Sequence, residues 1–325
     1  MLNNLSRHKN ILIAVGCIIF LYTGIVIGRD SNQPEKPHVL REGGFQYINP
    51  ILLCNPNIDE VTTPDNVLTS KLRGYANSAA EKDIAVYYLS LSDYTWAGIN
   101  INESFSPASM LKVPTMVAIL RYAEIHPEIL TKEIYYDGSF DDNKAEYFKP
   151  IQSIKPRNSY TVDQLVSYMI EYSDNNATRL LNAVPFNKKD ITNVYTDLGI
   201  EPPTTLGDFM SPKTYSLFLR LLYNSTYLNR EISEKGLKLM AAPDFPRGLQ
   251  SGVPTPIEVA QKFGERQFFT SDGKLKVREL HDCGIVYASS GPYALCVMTR
   301  GNDFEKLASE IRDISKLVYE TVSKN

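Results

Sequence analysis

The stretch FSPASMLKVPTMVAIL (residues 105–120) places Ser109 and Lys112 in a mostly apolar run. Ser109 and Lys112 are three residues apart, so a helix brings both side chains to one face. Ser106 and Pro107 have the pattern of a helix N-cap followed by proline at the first helical position. This pattern predicts that Ser109 lies in the first turn, near free backbone N–H groups and the positive end of the helix dipole. A serine in that place can attack a carbonyl carbon while backbone donors hold the oxyanion.

The residues after Lys112 predict that its helix is buried. They are apolar at helical spacing: Val113, Met116, Val117 and Leu120. A lysine held among them would lose its hydration, which lowers its pKa and makes it a base near neutral pH. A surface lysine on an ordinary helix would produce the same pair of residues by chance. The Ser109–Lys112 pair therefore needs support from elsewhere in the chain.

Two further motifs provide that support. Ser173-Asp174-Asn175 follows a helical pattern that opens at Thr161 with a capping box, which places the motif at a helix–helix corner. Lys262-Phe263-Gly264 closes a strand-like run. Taken singly, the first motif also suits a plain capping turn and the second a solvated lysine at a strand edge. Their order and spacing, about 60 and about 90 residues after the preceding motif, make the combination informative.

The order of predicted elements gives an α+β fold class. A helix over residues 63–80 is followed by two strand-like runs, a mostly helical region over about 106–250, three more strand-like runs and a last helix. Asp272-Gly273 between two of these runs is a strong hairpin signal. Asn302 and Asp303 are good N-caps for the last helix. We therefore predict an antiparallel sheet flanked by the terminal helices, with an inserted all-helical region.

From Thr63 to its C-terminus the chain resembles the class A β-lactamases of the penicillin-recognising serine enzyme family. The resemblance rests on S-x-x-K, S-D-N and K-x-G in this order and on the order of helices and strands. It implies a β-lactamase/transpeptidase-like fold and three catalytic roles. Ser109 would be the nucleophile that forms an acyl-enzyme, Lys112 would activate it, and Ser173 would pass a proton to the leaving nitrogen.

The same resemblance implies the substrate-binding residues. Asn175 would hold the amide side chain of the substrate, and Lys262 and Gly264 belong to the motif that binds its carboxylate. The backbone N–H groups of the nucleophile and of Glu265 would form the oxyanion hole. The family's third motif usually reads Lys-Thr-Gly or Lys-Ser-Gly, whereas this chain has Phe263 in the middle. Because the hydroxyl is missing, we expect weaker binding of ordinary penicillins.

A second departure concerns release of the acyl group. Class A enzymes carry a loop with a glutamate and an asparagine that hold the deacylating water. The segment Leu198–Pro212 has no E-x-x-x-N, and its only acids are Glu201 and Asp208, neither in a matching context. We assign neither a catalytic role. Without a base to activate water, the acyl-enzyme is expected to persist.

The N-terminus predicts a membrane anchor. Ile11–Ile27 is an uncharged apolar run with basic residues before it, which suits a short span with the rest of the chain outside the cytoplasm. We therefore divide the chain into a cytoplasmic tail (1–9), an anchor (10–28), a linker with a docking segment (29–60) and the hydrolase domain (61–325). A cleavable signal peptide is the alternative.

Three cysteines follow the anchor, in a compartment where disulfides persist. The apolar segment 45–54 ends in Cys54 and is expected to dock on the domain. We favour a Cys54–Cys283 disulfide that ties this segment to a strand. Cys283 and Cys296 flank a predicted hairpin and could also face each other, and three buried free thiols remain a further alternative.

Composition limits the remaining functions. The 325 residues are 43% hydrophobic with a formal net charge of −3, so the chain has no basic excess that would attract nucleic acid. The four histidines are scattered, no metal or cofactor is expected, and there is no G-x-S-x-G. The sequence predicts a single-pass protein of the cell membrane whose extracytoplasmic domain opens β-lactam amides. A D-alanyl-D-alanine peptidase acting on peptidoglycan peptides and a β-lactam- or peptidoglycan-binding sensor or pseudoenzyme are the alternatives.

Overall fold

The computed structural model shows an α+β domain, which confirms the predicted fold class. The predicted anchor and Cys54 lie outside the residues that the structure describes. Within the described residues, no helix has both the length and the apolar character needed to span a membrane. The described residues are 45–49, 63–81, 83–182, 184, 188–203, 207–243 and 245–323.

Five antiparallel strands form the main sheet in the order β2-β1-β7-β6-β5, and β3 pairs with β4 in a separate two-stranded sheet. The strands are β1 Asp83–Ser90, β2 Trp96–Ile99, β3 Glu133–Tyr136, β4 Asn158–Thr161, β5 Val259–Phe269, β6 Leu275–Val286 and β7 Tyr293–Gly301. The α-helices are α1 Asn66–Ser78, α2 Lys112–Ile125, α3 Val162–Glu171, α4 Asn175–Leu181, α5 Lys188–Asp197, α6 Pro212–Tyr223, α7 Arg230–Met240 and α8 Phe304–Val322.

The predicted order of the main-sheet strands along the chain, two before the helical region and three after it, is confirmed. Asp272 and Gly273 lie in the turn between β5 and β6, and Gly273 has φ +79°, a backbone conformation that glycine adopts at little cost. Helix α8 begins after Asp303, whose carboxylate accepts hydrogen bonds from the N–H groups of Glu305 and Lys306. The pairing of β3 with β4 was not predicted, because each strand has only four residues and the chain between them is irregular.

The two faces of the sheet bury different parts of the chain. Helices α1 and α8 cover one face with an apolar cluster that includes Leu68, Leu72 and Leu307, each fully buried. The helical region packs on the other face. Burial of each such side chain contributes about 1.5–3 kcal/mol to folding. Val67 and Leu68 are adjacent in α1, and the sequence predicts that both belong to its buried apolar face; this is wrong for Val67, which is 65% exposed.

Strand β5 is at the edge of the sheet, and this position makes the site possible. A 3-10 turn, Ala108–Leu111, lies between β2 and α2 and packs against β5. The turn therefore brings Ser109 to the boundary between the sheet and the helical region.

The disulfide prediction is wrong. Cys283 and Cys296 are register partners on the adjacent strands β6 and β7, and a disulfide joins them. Because its sulfur is already bonded, Cys283 is not available to Cys54. The physical reason is register: antiparallel pairing places the two sulfurs side by side on one face of the sheet.

Residues 45–49, the described part of the segment expected to dock, contact the domain. The carboxylate of Glu234 on α7 accepts hydrogen bonds from three successive backbone N–H groups, those of Gln46 (2.7 Å), Tyr47 (2.9 Å) and Ile48 (3.0 Å). Tyr47 and Ile48 are buried. Three charge-assisted bonds together with two buried side chains fix this short stretch on the domain.

Candidate active site

Ser109 lies in the 3-10 turn that precedes α2, so the α-helix itself begins at Lys112. The residue before the serine, Ala108, has φ +49°, in the left-handed region that non-glycine residues rarely adopt. Such local strain is found mainly at functional sites, where the surrounding structure holds it in place.

The predicted N-cap at Ser106 is wrong: no side chain caps the turn. Ser106 is instead held by the sheet. Its N–H donates to Glu279 Oε2 (3.0 Å), and its hydroxyl accepts a hydrogen bond from Arg266 (3.1 Å). These tertiary contacts form instead of the helix cap because Glu279 is a fully buried carboxylate, which needs hydrogen-bond donors. The sheet thereby fixes the start of the serine turn.

His281 adds a third bond to the same residue and has a defined tautomer. Its Nε2 lies 3.1 Å from the carbonyl oxygen of Ser106, and its Nδ1 accepts a hydrogen bond from the N–H of Thr299 (3.2 Å). A carbonyl can only accept, so Nε2 carries the proton and the imidazole is neutral. His281 acts in positioning the turn.

Gly264 allows β5 to approach the serine turn. A Cβ at this position would lie 2.5 Å from the carbonyl oxygen of Pro107 and 3.0 Å from the backbone nitrogen of Met110. Both are backbone atoms, which have little room to move. A glycine is therefore required where the third sequence motif contacts the turn that carries Ser109.

Lys112 is buried, with only 4% of its surface exposed, and its ammonium reaches the second motif. It donates to the carbonyl oxygen of Ser173 (2.6 Å), to the Ser173 hydroxyl (3.1 Å) and to Asn175 Oδ1 (2.6 Å). Burial lowers its pKa to about 8, although the charges of nearby carboxylates raise it. A lysine with this pKa has an appreciable neutral fraction near neutral pH, as a general base needs.

Asp174 holds the second motif in place. Its fully buried carboxylate accepts hydrogen bonds from Asn143 Nδ2, from the N–H of Ile154 and from the N–H of Asn176, each 2.8 Å long. It also caps α4. Ser173, just before it, has φ +57°. These bonds orient the Ser173 hydroxyl and the Asn175 amide toward Lys112.

Lys262 lies within the edge strand β5 and is 1% exposed. The prediction that the third motif closes its strand is wrong, because pairing with β6 continues to Phe269. The Lys262 ammonium donates to the carbonyl oxygen of Phe263 (3.2 Å) and lies 4.4 Å from the centre of the Phe263 ring. That ring stacks on Phe245 at 4.1 Å. The residue that replaces the family's hydroxyl therefore provides an aromatic face to the lysine, a favourable cation–π contact.

The sequence does not predict two carboxyl side chains that the structure places at the site. Glu146 Oε1 accepts a hydrogen bond from Asn175 Nδ2 (2.6 Å), and Glu265, for which the sequence predicts only a backbone role, accepts hydrogen bonds from the N–H groups of Tyr147 and Phe148, the two residues that follow Glu146. Glu265 is 8% exposed, and burial together with Glu146 raises its pKa to about 8. Glu265 follows the third motif directly, which was the one available signal; Glu146 lies in a loop without any pattern.

The structure thus brings Lys112, Ser173 and Asn175 into direct contact, with Ser109 one turn before Lys112 and Gly264 against that turn. The model of the β-lactamase enzyme family matches residues 67–322 of the chain. The chain belongs to the β-lactamase enzyme family.

Solved structures agree on the fold of this family member. PBP-A superimposes with a TM-score of 0.66 at 18% identity, over 81% of this chain and 98% of that one. A point mutant of PBP-A, solved as an acyl-enzyme complex with penicillin G, gives 0.67 at 17% identity over 81% and 99% of the two chains. A β-lactamase from Chitinophaga pinensis gives 0.65 at 19% identity over 79% and 99%. No curated protein sequence matched.

Glu201 and Asp208, the two acids of the segment Leu198–Pro212, each lie beside residues outside the group around Ser109 and Lys112. Asp208 Oδ2 accepts a hydrogen bond from the Arg300 guanidinium (2.9 Å), which also binds Glu279 and Asp83. Glu201 lies beside Pro202 at the rim of a surface cavity of about 480 Å³. We assign neither a place in the chemistry.

Proposed function

We propose that this chain is an active-site serine hydrolase of class A type that opens a β-lactam amide through an acyl-enzyme on Ser109. The observation that carries the proposal is the hydrogen bonding of buried Lys112 to Ser173 and Asn175. These residues are about 60 positions apart in the sequence, and their meeting beside the serine turn supplies a base and a proton carrier.

The first step is attack of Ser109 Oγ on the amide carbonyl carbon. A neutral Lys112 takes the serine proton as the C–O bond forms. A neutral amine has only two hydrogens and one lone pair, so one of the three observed hydrogen bonds must break to leave the lone pair free for the Ser109 proton. The longest of them, to the Ser173 hydroxyl at 3.1 Å, is the one we assign.

The second step is departure of the amine. Ser173 Oγ gives its proton to the amide nitrogen as the C–N bond breaks, and it is reprotonated from Lys112. The backbone N–H groups of Ser109 and Glu265 are the proposed oxyanion donors. The close packing of Gly264 on the serine turn supports this, because it brings the two stretches of backbone together. Hydrolysis of the resulting ester by water completes the cycle.

Two alternatives for the natural reaction follow from the departures in this chain. The missing hydroxyl at Phe263 disfavours ordinary penicillins as substrates. The segment Leu198–Pro212, which has no base to activate water, favours a slow release of the acyl group, and this suits a D-alanyl-D-alanine peptidase or a sensor that stays acylated. Turnover of a chromogenic cephalosporin separates these from a β-lactamase: many turnovers per enzyme indicate a β-lactamase, and one equivalent indicates a peptidase or a sensor. Absence of any covalent adduct indicates a peptidoglycan-binding pseudoenzyme.

We also propose that the domain lies outside the cytoplasm on an N-terminal anchor. The apolar run Ile11–Ile27 with its preceding basic residues supports this location. The disulfide Cys283–Cys296 agrees with it, because disulfides persist in oxidising compartments. Protease accessibility of the domain in intact cells and in spheroplasts tests the topology.

The mechanism is tested by labelling with a fluorescent penicillin. Ser109→Ala should abolish the covalent label while the thermal unfolding midpoint stays unchanged. Lys112→Met, which keeps the length of the side chain and removes the amine, should slow labelling by about 10² to 10⁴. Equal labelling of the Ser109→Ala variant would refute the assignment of the nucleophile.

A further inference from the structure

Glu146 and Glu265 form an acidic pair between the second sequence motif and the edge of β5. Glu146 is bound to Asn175, whose amide oxygen accepts from Lys112, so one chain of hydrogen bonds runs from the lysine to the pair. Glu265 follows Gly264, which lies against the serine turn. The backbone of Glu265 is therefore next to the serine turn, and the Glu146 side chain is linked through Asn175 to Lys112, the proposed base.

The loop that carries Glu146 also binds the side chain of Glu265. The Glu265 carboxyl accepts hydrogen bonds from the backbone N–H groups of Tyr147 and Phe148. Phe148 packs edge-on against Phe245 (5.1 Å between ring centres). The loop thus bridges from the second motif to β5, and the pair lies beneath this bridge.

The cations of the site are already engaged. Lys112 directs its ammonium to Ser173 and Asn175, and Lys262 lies against the Phe263 ring. A substrate carboxylate that approaches the Asn175 amide would meet the carboxyl group of Glu146 as well as Lys112, because both are bound to that amide. At neutral pH a raised pKa keeps a proton on Glu265, so the pair carries about one negative charge. A further buried negative charge beside it is unfavourable, whereas an ammonium group can replace the shared proton.

We propose that the Glu146–Glu265 pair is a specificity determinant that favours acyl donors with a protonated amine beside the scissile bond and disfavours donors with a carboxylate there. The inference rests on the proposed acyl transfer at Ser109 and adds the charge class of its substrate. It reverses the preference that the sequence motifs imply, because Lys262 alone would favour an anion.

The test uses the full chain in mild detergent and three thioester acyl donors that differ in one group: ammonium, carboxamide or carboxylate. The wild-type chain should have its highest kcat/KM with the ammonium donor, a lower value with the carboxamide donor and the lowest with the carboxylate donor. The double variant Glu146→Gln/Glu265→Gln keeps acceptor oxygens for Asn175, Tyr147 and Phe148 but has no charge. We expect the ammonium-to-carboxylate ratio to fall by about tenfold or more in this variant. Exposed Glu128→Gln, beyond the far end of α2, is the matched control and should leave the ratio unchanged.

An ammonium-to-carboxylate ratio of kcat/KM that stays unchanged in the double variant would overturn the inference. The pair would then have only the structural role of binding the loop. To separate failure of the inference from failure of the proposed function, the same three groups are tested as non-hydrolysable amide analogues binding to Ser109→Ala. Tighter binding of the ammonium analogue supports the charge preference even if no donor acylates the wild type. Tighter binding of the carboxylate analogue, or no binding of any analogue, contradicts it.

Discussion

The double variant Glu146→Gln/Glu265→Gln should shift the pH dependence of acylation at Ser109 to lower pH. Burial lowers the pKa of Lys112 to about 8, and the carboxylate of Glu146 is the largest of three charges that oppose the shift, followed by Asp174 and Glu265. With this pKa about 10% of Lys112 is neutral at pH 7, because the neutral fraction falls tenfold for each pH unit below the pKa. The pair carries about one negative charge, and removal of one adjacent negative charge lowers a lysine pKa by about one unit.

The neutral fraction at pH 7 should then rise to about 50%, so acylation should become about fivefold faster at this pH and equal to that of the wild type above about pH 9. The glutamine that replaces Glu146 keeps an oxygen for the Asn175 amide, which limits the change to charge. The assay is the initial rate of labelling by a fluorescent penicillin from about pH 5.5 to 9.5. Glu128→Gln is the control. A profile that stays in place, or that moves to higher pH, would refute the role of Lys112 as the base.

Three further predictions concern turnover, a buried acid and the disulfide. β-Lactam hydrolysis should show a burst of one equivalent and then a steady-state rate well below about 10 s⁻¹. Neither Glu201→Gln nor Asp208→Asn should change this steady-state rate. A large loss of turnover in Glu201→Gln would instead identify Glu201 as the deacylation base. Burial raises the pKa of Asp282 to about 7, above the value in the unfolded chain. Between about pH 4 and pH 7 the folded state therefore keeps a proton on Asp282 that the unfolded chain has lost. The contribution of Asp282 to the stability of the fold consequently falls as the pH rises through this range. Asp282→Asn should therefore raise the free energy of unfolding, by about 3 kcal/mol more at pH 8 than at pH 5, and an equal gain at both pH values in urea titrations would contradict this. The double variant Cys283→Ala/Cys296→Ala should lower stability by up to about 3 kcal/mol, because the bridge closes a loop with a sequence separation of 13; non-reducing peptide mapping that finds both thiols free would remove the premise.

The parts of the fold that the sequence predicted are those where local pattern and tertiary packing agree. The period of the last helix and the Asp272-Gly273 turn fall in this class, since each depends on residues close in the chain. The resemblance carried by the three motifs implies roles for Lys112 and Ser173 in one reaction, and the two side chains are in contact.

The parts that were missed depend on contacts between distant residues. Ser106 has the local pattern of a cap, but Glu279 and His281 on β6 bind its backbone instead. Cys283 pairs with Cys296 because of strand register, which the sequence does not contain. Glu146 is a single glutamate in an irregular loop, and only the folded chain brings it to Asn175.

The central claim is that Ser109 forms an ester with an amide-derived acyl group. Intact-mass measurement of the full chain after exposure to a penicillin tests it most directly, followed by peptide mapping of the adduct. The account predicts a mass increase equal to one whole penicillin molecule, located on Ser109 and absent from Ser109→Ala. An unmodified mass at saturating penicillin, or an adduct on another residue, would contradict it.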